Sequence, residues 1–132
     1  MSPLFIHIKP ESDTPIYSQL IYQIKTGILK KELMPGELLP SVRSLAGDIG
    51  INMHTVNKAY NYLVREEILI NQKKGFQIKN REQMKMSVEY QEEFKTKLTE
   101  LMIDAAVYQL SEQELKEMQQ AVNKKIQGGE AK

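Results

Sequence analysis

The chain has 132 residues, with 18 Lys+Arg against 17 Asp+Glu, no Cys and no Trp. That length suits one ordinary domain, or a small domain with an appendage, and excludes two full-size domains, which usually hold ~100–200 residues each. The hydrophobic share of 41% is too high for a disordered chain, and the near balance of charge excludes a polybasic tail protein.

No stretch approaches the ~18 uncharged apolar residues of a membrane helix. The N-terminus MSPLFIHIKPES lacks the basic and apolar regions of a signal peptide. Without Cys there is neither a disulfide framework nor a thiolate metal site. The expectation is a soluble, cytoplasmic protein that contacts no membrane and needs no cofactor. The net charge of +1 hides an asymmetry: residues 1–80 carry 10 Lys+Arg against 7 Asp+Glu, and residues 81–132 carry 8 against 10. An anionic partner is therefore sought for the first part.

SDTPIYSQLIYQIKTGILKKEL predicts a first helix, with Asp13 or Thr14 capping it and Pro15 at its first position. Ile16, Leu20, Ile21, Ile24, Ile28 and Leu29 fall on one helical stripe. Lys30 and Lys31 fall near its C-terminal end, where the dipole favours cations, and Pro35-Gly36 turns the chain.

A second helix starts at LPSVRSLAGDIG. Ser41 is its N-cap, Val42, Leu45, Ala46 and Ile49 form its apolar face, and Gly50 is placed to end it in a left-handed conformation. Asn52 then caps a third helix, MHTVNKAYNYLVREE, with Val56, Ala59, Tyr60 and Leu63 facing inward. Two helices joined by so short a turn cross steeply, as in a helix-turn-helix. ILIN and FQIK, separated by QKKG, read as a β-hairpin with Lys73 and Lys74 at its tip. A basic hairpin after a helix-turn-helix has the pattern of a winged helix.

From about Arg81 the pattern becomes acidic and helical. Phe94, Leu98, Leu101, Ala105 and Tyr108 recur at steps of four and three, the spacing of a helix seam, and Met102 widens that face. Ser111 to Glu114 form a capping box that opens a last helix with Leu115, Met118, Val122 and Ile126 on one side. Such a hairpin is too small to hold its own core.

Once the inward residues of the third helix are set aside, Met53, His54, Thr55, Asn57 and Lys58 cluster at its N-terminus beside Asn52. A helix N-terminus presents N–H groups to phosphates, and side chains there reach base edges in a major groove. Asn and His exchange hydrogen bonds with bases, Thr and Met contact a thymine methyl, and Lys meets a phosphate or guanine. Ser41 and Arg43 at the start of helix two, with Lys73 and Lys74 on the wing, extend this candidate surface. As a metal ligand His54 would have only His7 as a second histidine, without a carboxylate at ligand spacing. No Cys nucleophile, glycine-rich phosphate loop or supported Ser/His/Asp set suggests an enzyme.

The stretch LPSVRSLAGDIGINMHTVNKAYNYLVREEILINQKKGF resembles the GntR family of bacterial winged-helix transcription regulators. LPS-x-R-x-LA at Leu39 to Ala46 and the spacing of Ala46, Gly50 and Val56 carry the likeness, which runs from about Pro15 to Lys79. N-x-x-T-V-x-K-A-Y from Asn52 to Tyr60 is similar to the YtrA-like subfamily, where a short two-helix dimerisation segment follows the winged helix. The resemblance implies a mostly α fold: a winged helix-turn-helix of three helices plus a two-stranded wing over residues 1–80, and a C-terminal two-helix dimerisation segment over 81–132. It implies a homodimeric, operator-binding regulator, usually a repressor. DNA contacts would fall on Arg43, on Asn52 to Thr55, on Asn57 and Lys58, and around Lys74 and Gly75. The dimer interface would take Phe94, Leu98, Leu101, Met102, Ala105, Tyr108, Leu115, Met118 and Val122. Met53, His54 and Asn57 depart from common residues of the family, so no operator sequence is implied, and the residues name no small-molecule effector. Two other readings stay open: a winged helix used as a protein-interaction module, and a sequence-tolerant architectural DNA binder.

Overall fold

A computed structural model describes residues 6–129. The reading of the N-terminus against a signal peptide rests partly on residues 1–5, which lie outside the described range. The chain divides into two compact units, Met1–Lys85 and Met86–Lys132.

The first unit contains α1 (Ile16–Leu29), α2 (Val42–Ile49), α3 (Met53–Arg65), β1 (Leu69–Gln72) and β2 (Gly75–Ile78). α1 lacks the expected side-chain cap: Pro15 itself occupies the cap position and no side chain bonds the first turn. Gln19 holds the entering chain instead. Its Nε2 donates to Thr14 O at 2.9 Å and Lys9 O at 3.0 Å, and its Oε1 accepts from Lys9 N at 2.9 Å. One turn on, Gln23 clamps the N–H and C=O of His7 in the same two-bond way, both at 2.8 Å. Lys30 and Lys31 fall just past α1 rather than in its last turn. There the chain reverses through Lys31, whose φ is 63°, and buries Leu33 against α1. A Cβ on Gly27 would stand 3.0 Å from Leu33 Cδ1, so a larger residue there would make the Leu33 side chain shift.

Helices two and three follow the sequence closely. Ser41 Oγ accepts from Ser44 N at 3.1 Å, and Asn52 Oδ1 accepts from His54 N at 2.7 Å. Gly50 ends α2 at φ 71°, ψ 38°, a left-handed conformation that costs glycine little. Val56, Ala59, Tyr60 and Leu63 of α3 are fully buried against Leu20, Ile24, Leu45 and Leu69 in one core. Removing a large apolar side chain from water stabilises by about 1.5–3 kcal/mol, so this single core sets the mutual placement of α1, α2 and α3.

The wing differs from expectation by one residue. Its strands pair Leu69 with Ile78 and Gln72 with Gly75, so only Lys73 and Lys74 form the turn, and Gly75 belongs to β2. The inward residue of β1 is Leu69, while Ile70 is 37% exposed. A run of three apolar residues does not choose its own face; the Schellman-type turn before it does. Glu67 stands at φ 66°, Glu67 N donates to Val64 O and Ile68 N to Leu63 O, and this sets the strand to begin at Leu69. Lys79 pairs with Glu67 across the base of the hairpin. An isolated bridge flanks the hairpin on its other edge: Leu38 pairs with Gln77, Leu39 N donates to Phe76 O and Ile78 N donates to Glu37 O.

A 3₁₀ turn at Arg81–Gln83 closes the first unit. The second unit holds α4 (Val88–Val107) and α5 (Glu112–Lys124), which runs into one wider turn at Lys125–Gly129. Ser87 caps α4, accepting from Tyr90 N at 3.0 Å. The capping box of α5 is complete: Ser111 Oγ accepts from Glu114 N at 3.1 Å and Glu114 Oε1 accepts from Ser111 N at 2.8 Å. Tyr108 lies one residue past α4 and Ile126 beyond α5. Among the described residues of this unit only Ala105 is buried.

Candidate nucleic-acid interface

α3 is divided along its length. Its inward face is core, while Asn52, Met53, His54, Asn57 and Lys58 at its N-terminal half are exposed and Thr55 is half-buried. The division follows from the sequence, since the four core positions recur at helical spacing and leave the polar residues only the opposite side. The N-terminal end of the helix dipole adds partial positive charge there, with the His54 and Thr55 N–H groups already donating to Asn52. Arg43 and Ser41 are exposed at the start of α2, and Lys73 and Lys74 are exposed at the tip of the hairpin. Gly75, at φ 128°, lets the two-residue turn close. Ser41 Oγ and Asn52 Oδ1 both serve as caps, which leaves the Ser41 O–H and the Asn52 NH2 as outward donors.

Two anchors of this surface carry no signal in local sequence. Lys58 Nζ sits 4.5 Å above the centre of the Tyr17 ring on α1. Tyr17 in turn packs edge-on against Tyr62 at 6.2 Å, and Arg65 lies 5.4 Å from the Tyr62 ring. Lys58, Tyr62 and Arg65 follow one another at i, i+4 and i+7, a spacing that marks one helical stripe; their pairing with Tyr17 depends on the α1–α3 packing. The second anchor is Tyr60, whose buried hydroxyl donates to Pro40 O at 2.8 Å. Burial pushes the ionisation of that hydroxyl well above its ordinary value.

In the second unit an open groove of about 620 Å³ is lined by Leu98, Leu101, Met102, Ala105, Tyr108, Leu115, Met118 and Val122, with Asp104, Leu110 and Gln119. It gathers every seam residue named above except Phe94. Ala105 is buried and Leu115 half-buried, whereas Leu101 is 65% and Tyr108 76% exposed. Exposed apolar surface of this kind is what a macromolecular contact or a bound ligand covers. Among the described residues no three His, Cys, Asp or Glu side chains cluster to hold a metal, and no helix is long and apolar enough to cross a membrane.

Known proteins share this organisation. The family model described as bacterial regulatory proteins, gntR family, matches residues 16–78, from the first residue of α1 to the last of β2. The HTH-type transcriptional repressor YtrA of Bacillus subtilis is 37% identical over 125 residues, 94% of this chain and 96% of that one. A crystal structure of a transcriptional antiterminator from Listeria monocytogenes EGD-e superposes with a TM-score of 0.84 at 33% identity, covering 100% of this chain and 98% of its own. YtrA from Sulfolobus acidocaldarius, a GntR-family transcription factor, shows 42% identity and a TM-score of 0.61 over 77% of this chain and 97% of its own. On fold, on the matched stretch and on 37% identity over 94% of its length, the chain belongs to the GntR family of bacterial regulatory proteins.

Proposed function

We propose that this chain is a cytoplasmic, sequence-specific DNA-binding repressor that holds an inverted-repeat operator as a homodimer. The observation that carries the reading is the division of α3, whose exposed N-terminal half is polar and cationic while its other face is fully buried. α3 enters the major groove, where Asn52, Met53, His54, Thr55 and Asn57 meet base edges. Lys58, Arg43 and Ser41 meet phosphates, and Lys73, Lys74 and Gly75 of the wing meet flanking backbone.

The apolar groove of the second unit receives a second copy of the same hairpin. A two-fold pair of recognition helices then matches a two-fold repeat in the DNA. The B. subtilis relative's name as a repressor supports the sign of regulation. Nothing in this mechanism calls for bond-making chemistry; occupancy of the operator is the output.

The test is selection of bound fragments from sheared genomic DNA by the purified protein at two salt concentrations. A shared inverted repeat, bound more tightly at low salt, supports the reading. Bound fragments without a common sequence point to an architectural binder, and no retained DNA at either salt points to a protein partner.

A further inference from the structure

Asn61 stands one turn beyond Asn57 on α3, and both are exposed. Asn61 Nδ2 donates to the Asn57 carbonyl at 2.9 Å and to Asn57 Oδ1 at 3.1 Å. A side-chain amide has one acceptor oxygen and one NH2 carrying two donors. With one Oδ1 lone pair taken and the oxygen drawn along the helix toward Asn61, the Asn57 group left wholly unengaged is its NH2.

That polarity matters in a major groove. Pairing of Asn with adenine uses donor and acceptor together, against N7 and N6. An amide that leads with its NH2 matches an edge of acceptors, and guanine presents N7 and O6 side by side. Thymine offers one acceptor, O4, and cytosine offers only a donor there. Resting on the DNA-binding reading above, we propose that Asn61 is a positioning residue: by fixing the Asn57 amide as a donor, it selects guanine at the operator base that Asn57 meets.

The test uses the full chain and randomised duplex DNA, with wild type, Asn57→Ala and Asn61→Ala selected in parallel. Ala is the best helix former, so α3 is retained, and circular dichroism checks it. Asn57→Ala identifies the base that Asn57 reads as the position in each half-site where preference disappears. The expected wild-type base there is guanine, favoured about 5-fold, the low end for a base contact, since one NH2 cannot align both hydrogens with N7 and O6. In Asn61→Ala the freed amide can present Oδ1 as well, and the preference moves toward adenine while other positions stay unchanged. A purely structural role for Asn61 would instead weaken every sequence equally. Adenine at that position in wild type, an unchanged preference in Asn61→Ala, or no position that depends on Asn57 overturns the inference and leaves the DNA-binding reading standing. Recovery of no shared sequence by wild type overturns that reading, and the inference with it.

Discussion

The Tyr60 hydroxyl on α3 donates a 2.8 Å hydrogen bond to the carbonyl of Pro40, the residue just before the Ser41 cap of α2. The same ring meets Phe76 of β2 edge-to-face at 4.9 Å. One fully buried side chain thus ties α3 to the entry of α2 and to the second strand of the wing. Arg43 and the wing lysines are carried on elements that Tyr60 holds against α3, so their spacing relative to that helix depends on this residue.

Tyr60→Phe keeps the ring and removes the bond. Leaving the Pro40 carbonyl without its partner costs about 1–3 kcal/mol, to be read as a lower urea midpoint at neutral pH. The raised ionisation of the folded-state hydroxyl also links stability to pH. Below about pH 10, the ordinary tyrosine value, both states keep the proton and the contribution is fully present. As pH rises above that, the unfolded chain releases the proton first, and stability falls by up to ~1.4 kcal/mol per pH unit. Wild type should therefore lose more stability than Tyr60→Phe between neutral pH and pH ~11; parallel curves would remove Tyr60 from the account.

Arg43 is exposed on the first turn of α2, and no core contact depends on it. Arg43→Ala should leave thermal unfolding within ~0.5 kcal/mol of wild type, as is usual for surface positions. It should weaken DNA binding and flatten the plot of log affinity against log salt by about one unit. An unaltered slope measured by fluorescence anisotropy takes Arg43 off the phosphate.

Tyr17 holds Lys58 over its ring at 4.5 Å. An exposed cation–π contact is worth ~0.5–1 kcal/mol. Lys58→Ala, Tyr17→Leu and the double variant form a cycle for DNA affinity. The expected coupling is about that size, with Tyr17→Leu costing little once Lys58 is gone. Additive losses would mean that the ring acts independently of Lys58.

Leu101 is 65% exposed on the rim of the apolar groove, so a charge there disturbs little in the single chain. Leu101→Glu should shift sedimentation toward monomer, raising the dimer dissociation constant ~100-fold or more, because an ion taken out of water costs several kcal/mol. An unaltered dimer would place the contact elsewhere, for example around Phe94 at the other end of the seam.

How much of this was legible follows from where each signal resides. Ser41, Gly50 and Asn52 act through bonds to residues at most four positions away, so α2, α3 and their turn could be read directly. The breaks at Glu67 and before Ser111 could be placed, but not their geometry, and the reversal at Lys31 was hidden, because Lys31, Glu67 and Gln109 take positive φ without being glycine. The Leu38 bridge is a single residue with no alternation to show, and its partner Gln77 lies far along the chain. The exposed end of α3 was legible because it is what its buried stripe leaves over. Tyr17 beneath Lys58 and Tyr60 on Pro40 were not, since both need tertiary packing to bring distant residues together. The α4 seam showed its period plainly, but a period within one chain does not name the copy that covers it.

The most direct measurement compares affinity and stoichiometry on the selected inverted repeat with those on a scrambled duplex at one physiological salt concentration. The account predicts two chains per repeat and a preference of ~10³ or more, the usual floor for specific regulators. Equal affinity for both duplexes, or one chain per repeat, would contradict it.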